Sequence, residues 1–418
     1  MAPPTPRNIV DAPESFLAFA VSYGRSYLAA GGPSNRLEDQ IAQLAEGHGL
    51  RAEVYATPTG IFISVAKAED HHPVYTAVGR IKEYLMNLNQ LCLLEALMED
   101  VAEGKVAPVA AIKILKASKF QKSIYTKIQK SLAAFTMGAA MSFSTFGRPW
   151  PAIMSGVISY GAFWITGPAL SMFVESAIFR DFIASLFVLM AGTAAASLMG
   201  GPIDAFTIGG LILLVPGLVI TTAVAELADQ NFISGTAKLM KGLLTLMSIG
   251  MAYLIFHQFA PSAPLRHTLL PQGSGNFAVA TACTAASLLS FSVIFQVPRK
   301  ALVWAVATGL ASWAVFTQFQ NPQYSDVASF LASTTVGVLS LALGTRFKTP
   351  SQVYSVPGML ALLPGMLALS SFRSLVAGEG VGGIETAFKV ALVAGTIVFG
   401  LFCARIPFEV ASAIRRRT

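Results

Sequence analysis

Two dipeptides, Pro216-Gly217 and Pro364-Gly365, lie in the middle of long apolar stretches of this 418-residue sequence. Proline removes a backbone donor and its ring clashes with the preceding helical turn, while the adjacent glycine tolerates dihedrals that other residues avoid. Inside an apolar helix such a break frees carbonyls and amides that lipid cannot satisfy, so they must meet protein, water or a ligand. A single Pro-Gly reads most simply as a kink packed by its neighbours. A pair at matching places in two halves of a chain points instead to a shared site for a small polar solute. Pro357-Gly358 is expected to add a further break. Thr221 and Thr222 follow Pro216 on the same stretch and would add hydroxyls, so Pro216, Gly217, Thr221, Thr222, Pro364 and Gly365 form the candidate substrate-binding set.

Glu226 and Asp229 close the first of these stretches. A carboxyl in an apolar bundle favours its protonated form, which makes Glu226 the candidate carrier of a coupled proton; an interfacial acid in water is the equally open alternative. Asp204 opens the stretch and reads as a helix N-cap or first-turn acid, with a gating role the lesser reading. Glu175, Arg148 and Arg373 read as ordinary interface residues. Other chemistry is sparse. His71-His72 has no accompanying ligand cluster and reads as a loop pair, so no metal site is expected. Cys92, Cys283 and Cys403 are isolated and fit small apolar fillers. Gly104-Lys105 follows Glu99, where a phosphate-binding loop needs glycine, which disfavours an ATP-driven pump. No nucleophile, base or cofactor motif stands out, so neither a catalytic set nor a cofactor is expected.

Composition shows which elements must position these residues. Residues 1–130 hold 14 Lys/Arg and 13 Asp/Glu, whereas the 288 that follow hold only 15 and 9. The first density is that of a soluble domain, and the second falls well below it. A mean hydropathy of +0.61 averages the two. A bilayer crossing takes roughly 20 mainly apolar helical residues. Ten stretches qualify: 131–147, 150–173, 182–200, 204–225, 235–257, 276–297, 301–318, 327–345, 352–371 and 384–404. Ten crossings put both termini on one side. With the cytoplasm there, 25 Lys/Arg fall inside and only Arg148, Arg266 and Arg373 outside, the bias expected of cytoplasmic loops. The net charge of +7 is thus spread over loops rather than gathered into a nucleic-acid-binding patch.

The apolar part repeats itself. Ala152, Val157 and Trp164 recur near an offset of 149 as Ala301, Val306 and Trp313, and Phe182-Ile183-Ala184-Ser185 recurs at 148 as Phe330-Leu331-Ala332-Ser333. Pro202 matches Pro350, and Leu214-Val215-Pro216-Gly217 matches Leu362-Leu363-Pro364-Gly365, both again at 148. Five crossings per copy is an odd number, so the second copy enters the membrane in the opposite sense, as in many secondary transporters. The expected fold is a mainly α membrane protein. A small cytoplasmic α+β domain, residues 1–130, precedes two inverted five-helix repeats, residues 131–265 and 276–418. In the soluble domain, helices are expected over 13–30, 34–47, 77–103 and 106–129, with a hairpin of strands 51–56 and 61–67. Lys113, Lys116, Lys119, Lys122, Lys127 and Lys130 then form one basic run beside anionic lipid heads.

Several of these stretches, taken in order, resemble the threonine/serine exporter family of bacterial and fungal membranes. They are Asn35-Arg36-Leu37-Glu38, Gly49-Leu50, Thr57-Pro58-Thr59-Gly60-Ile61-Phe62, Arg80, Val215-Pro216-Gly217, Ala225-Glu226-Leu227, Ser234-Gly235, Val356-Pro357-Gly358 and Leu363-Pro364-Gly365. Phe146-Gly147-Arg148-Pro149-Trp150 departs from the family pattern, and Glu226 stands where an aspartate is usual. The resemblance implies export of threonine and serine driven by the proton motive force, from the inner cell membrane. Two-component relatives resemble the same halves on separate chains and are associated with succinate export. The leading function is therefore a proton-coupled exporter of small hydroxy amino acids. A dicarboxylate exporter of the same fold is the alternative, and a membrane-anchored enzyme or receptor is the alternative of another class. A dianion would call for basic side chains, and the span interiors offer Lys389 and little else. The expected partners are the amino acid, protons and the lipid bilayer, without nucleic acid; an oligomer is compatible with the sequence.

Overall fold

The computed structural model describes residues 13–68, 74–81, 86–117, 123–259, 276–319 and 325–417. Its contacts divide the chain into one unit of Met1–Ile124 with Glu226–Ala237 and a second of Tyr125–Ala225 with Lys238–Thr418. His71, His72, Lys119, Lys122 and Arg266 lie outside the described residues.

The N-terminal unit contains α1 (Pro13–Ala29), α2 (Ser34–Gly47), β1 (Leu50–Thr57), β2 (Gly60–Lys67), β3 (Tyr75–Arg80), α3 (Leu88–Ala102) and α4 (Pro108–Lys116). The strands form an antiparallel sheet in sequence order, with Val54 opposite Ile63 and Ile63 opposite Ala77. Alternation puts Ile61, Ile63 and Val65 of β2 on one face, each fully buried, as are Phe16, Phe19, Tyr23 and Tyr27 of α1. Thr57 closes the hairpin: its hydroxyl accepts from Gly60 N and donates to Gly60 O.

Two helix expectations fail here, for local reasons. The segment expected to open a helix at 77 is instead strand β3, hydrogen-bonded along β2. Its helix begins only at Leu88, where the Asn87 side chain accepts from Gln90 N. The helix expected over 106–129 ends at Lys116. Thr126 then opens a new helix through a reciprocal capping box with Gln129. The basic run is therefore not one helical face, since Lys113 and Lys116 belong to α4 and Lys127 and Lys130 to the helix that follows.

That helix, α5 (Lys127–Phe146), begins the helical unit. It is followed by α6 (Pro149–Trp164), which continues into a π-turn at Ile165–Ala169, then α7 (Ala177–Met199), α8 (Ile203–Leu214), α9 (Gly217–Ala228) and α10 (Phe232–Phe259). The remainder comprises α11 (Phe277–Ile294), α12 (Leu302–Phe319), α13 (Ser325–Phe347), α14 (Gln352–Met359), α15 (Gly365–Val376) and α16 (Gly380–Arg417). Seven stretches among the described residues are long and apolar enough to cross a bilayer: Ala177–Met199, Ile203–Ala228, Phe232–Phe259, Phe277–Ile294, Leu302–Phe319, Asp326–Phe347 and Gly380–Phe408. The chain is a multi-pass membrane protein. The three other expected stretches are less clear-cut: α5 carries Lys127, Gln129 and Lys130, α6 has only 16 residues, and Gln352–Val376 is divided between two short helices.

Small residues set the packing of α5, α6 and α8. Gly209 of α8 meets Gly138 of α5 so closely that an added Cβ would overlap its backbone, and Gly209 N donates to Ser155 Oγ of α6 at 3.1 Å. Without a hydrophobic driving force in lipid, such backbone approach supplies the contact. Gly209→Ala is expected to cost about 1–3 kcal/mol by overpacking. It should lower the thermal midpoint of the purified protein in detergent, whereas Gly395→Ala, at a glycine with nothing within 4 Å of an added Cβ, should leave it unchanged.

Candidate functional site

Helix α8 ends at Leu214 because Val215, preceding a proline, is driven to an extended conformation (φ −67°, ψ 127°). Gly217 N turns back to bond Val215 O at 3.0 Å, and α9 restarts at once, with Ile220 N donating to Pro216 O. The second interruption is broader. Pro357 sits inside α14, which runs on to Met359, so Pro357-Gly358 is not itself the break. Beyond Met359 the chain leaves the helical ladder through turns closed by Leu360 N to Pro357 O and Leu362 N to Met359 O. Pro364 then precedes α15, which opens at Gly365.

The two breaks meet. A Cβ on Gly217 would lie 3.1 Å from Gly365 Cα and 3.2 Å from its nitrogen, and one on Gly365 would lie 3.6 Å from Gly217 Cα. Two helix N-termini thus begin at one crossing, each with first-turn N–H groups that have no partner within their own helix and with the positive end of its dipole there. That arrangement suits a carboxylate. Thr221 is buried, and its hydroxyl has no hydrogen-bond partner among the described residues. Thr222 differs: its hydroxyl already donates to Val219 O at 3.1 Å. Pro216, Gly217, Pro364 and Gly365 therefore come together, with Thr221 one turn along α9.

Glu226 lies elsewhere, inside the N-terminal unit. It is 6% exposed, and its Oε2 accepts from Ser234 Oγ at 2.5 Å. Ser34 Oγ at the start of α2 is 3.0 Å from Ser234 Oγ and so donates to it. Beside this chain, Asn35 Nδ2 donates to Asp229 Oδ2 at 3.1 Å. Two sequence stretches nearly 200 residues apart, 34–38 and 226–234, are thereby joined through polar side chains.

Arg373 corrects an expectation. It is not an interface residue but 8% exposed, with Nη1 3.6 Å from Oδ1 of Asp204, itself 4% exposed. Its guanidinium lies 4.4 Å from the centre of the Tyr253 ring. Lys389, by contrast, is exposed and pairs with Glu385 one turn away at 2.8 Å. The helical unit thus buries Arg373, and also Lys238 at 7% exposed, but not Lys389. Sequence holds one hint of this: Asp204 opens the first broken stretch, and Arg373 closes the second.

A family model described as "Putative threonine/serine exporter" matches residues 18–260. A second, described as "Threonine/Serine exporter, ThrE", matches residues 280–406. No curated protein and no solved structure matches the chain.

Glu38 offers a test of the polar cluster. Its Oε1 accepts from Ala56 N at 2.7 Å. Burial raises its pKa, the Ala56 bond opposes this, and the charges of Asp39 and Glu226 raise it further. A raised carboxyl contributes stability that is fully present below the ordinary glutamate value and is lost as pH climbs through the folded value. Glu38→Gln keeps the acceptor and removes the charge. It should slow amide exchange in α2 at neutral pH and flatten the pH dependence across that window, measured by hydrogen–deuterium exchange on the full chain. Exchange identical to wild type would mean that the carboxylate is solvated without cost.

Proposed function

The chain belongs to the threonine/serine exporter family, and from that premise we propose that it is a proton-coupled secondary transporter carrying threonine and serine out of the cell. The family is one of membrane transporters, not of enzymes. The observation that carries the site assignment is the backbone contact between Gly217 and Gly365. The proposed topology has ten crossings in two inverted repeats, 131–265 and 276–418, with the domain 1–130 and both termini in the cytoplasm. The distribution of 25 Lys/Arg inside against three outside supports it.

Under that topology α9 runs from the crossing toward the cytoplasm and α15 from the crossing toward the exterior. A substrate carboxylate at the crossing is then in reach of first-turn amides that open toward opposite sides, as alternating access requires. The free hydroxyl of Thr221 serves the substrate's own hydroxyl or ammonium. Glu226 is the proposed proton carrier. Protonation removes the charge to which Ser234 donates, and because Glu226 stands on α9 the change acts on the half-helix that begins at Gly217.

Efflux from proteoliposomes loaded with labelled threonine, serine or succinate, with and without a pH gradient, tests this reading. Threonine and serine should leave faster than succinate; the reverse order would overturn the substrate assignment. Pro216→Ala and Pro364→Ala should each lower efflux while membrane expression is retained, because a repaired helix withdraws the backbone groups offered to substrate. Wild-type efflux in both would leave these prolines as packed kinks. Glu226→Gln should weaken the dependence on the pH gradient more than it weakens exchange. Cysteine introduced at Trp150 should react with an impermeant reagent from outside and at Arg299 should not.

A further inference from the structure

The pair Asp204 and Arg373 has no part in the crossing just described, and its geometry is unusual for a structural ion pair. Arg373 stands eight residues beyond Gly365, about 12 Å along α15, and Asp204 lies in the first turn of α8. Both side chains are more than nine-tenths buried. Tyr253, whose ring the guanidinium faces, belongs to a buried apolar cluster with Phe206, Leu211, Ile249 and Leu369. Burying two charges costs more than their attraction returns unless the pairing is close and the remaining donors are satisfied. Here the pairing is loose and one guanidinium donor is left over. The nearest approach is one Nη1 to Oδ1 distance of 3.6 Å, beyond hydrogen-bond range. Arg373 Nε has no hydrogen-bond partner among the described residues, and neither does the Tyr253 hydroxyl. A guanidinium offers five donors in a planar fork shaped for a carboxylate. This one sits 4.4 Å from the centre of the Tyr253 ring, with its Nε donor to spare.

We propose that Asp204 and Arg373 form a zwitterion-binding station on the proposed outward path, the α-carboxylate of the cargo going to Arg373 and its α-ammonium to Asp204. The station deepens the exporter reading and rests on it. An amino acid brings one charge of each sign, so it can enter between the two side chains and leave both paired. A dicarboxylate cannot, because its second carboxylate would face Asp204. The Tyr253 hydroxyl and Arg373 Nε supply the additional donors. On this reading, the selection of amino acids over dianions lies in an ion pair, in addition to the amides at the crossing.

The test uses the full chain in proteoliposomes and needs no variant for its first arm. Threonine methyl ester and N-acetylthreonine, each lacking one charge, should inhibit threonine counterflow at least about tenfold more weakly than serine, the discrimination expected when a buried charged donor or acceptor is left unpaired. Equal inhibition by serine and by either blocked analogue would overturn the station. In the second arm, Arg373→Lys should raise the half-saturating threonine concentration by about tenfold or more, because a lysine is a point charge without the fork. Asp204→Asn should relax the exclusion of succinate as a competitor. Half-saturation and competitor preference unchanged in both variants, with only the amount of folded protein altered, would mark the pair as structural. If wild-type vesicles move neither threonine nor serine, the exporter reading fails and the station with it. If they do and the arms above come out negative, the station alone fails.

Discussion

The contact between Gly217 and Gly365 is the constraint on which the rest of the helical unit depends. Two polypeptide backbones approach to the distance at which a single Cβ would force one of them to move. Here the helices stop and restart at Pro216 and Pro364, and the bare backbone of the two glycines meets at the breaks. The packing that follows ties the two half-helices together. Ile220 of α9, Leu246 of α10, Ala368 of α15 and Val390 of α16 form one buried cluster, and Leu218 of α9 packs against the cluster of Ala332, Val336, Met359, Leu362 and Ile397. A displacement of α9 therefore has to be answered by α15 and its neighbours, because close-packed interiors shift between discrete arrangements rather than deforming smoothly.

The N-terminal unit is built on the opposite principle. Around α1 and α2 its charged and polar groups are matched: Arg36 meets Glu95 at 2.6 Å, the Tyr27 hydroxyl donates to the other oxygen of Glu95, and Glu38 takes Ala56 N. The hydrogen bonds from Ser34 to Ser234 to Glu226 belong to the same satisfied class. What makes this cluster consequential is its covalent position. Residue 225 belongs to the helical unit and residue 226 to the N-terminal one, yet both are in the single helix α9 that starts at the crossing.

How much of this could be read from residues alone follows physical range. The breaks were legible because Pro-Gly acts locally, and the amphipathic helix 34–47 and the hairpin of strands 51–56 and 61–67 were legible through period and turn chemistry. Strand β3 was not: Tyr75-Thr76-Ala77-Val78-Gly79-Arg80 alternates, but an apolar-rich continuation drew it into a helix, and only pairing with β2 decides. The end of α4 was missed because a lysine-rich stretch looks continuous until Thr126 and Gln129 are seen to start a new helix. Pro357 shows the limit of the Pro-Gly rule, since its helix runs on to Met359 and the chain breaks only beyond it. The candidate site divides the same way. Gly217 with Gly365 was anticipated as a pair, whereas the burial of Arg373 against Asp204, and of Glu226 against Ser234, arises from partners that no local pattern specifies.

The contrast between satisfied and unsatisfied polar groups bears on how a carrier releases its cargo. In a low-dielectric interior an under-coordinated guanidinium is costly, and a cargo that completes its coordination gains what the empty protein lacks. The same cargo must first part Arg373 from Asp204, however, and that attraction is lost when it enters and regained when it leaves. The two terms offset each other. A bare Arg373 would hold a carboxylate too firmly to let it go, and a tightly bidentate pair would admit nothing. A loose pair at 3.6 Å lies between these limits, which is what conduction through any binding site requires: entry that is favourable, and exit that is not much less so.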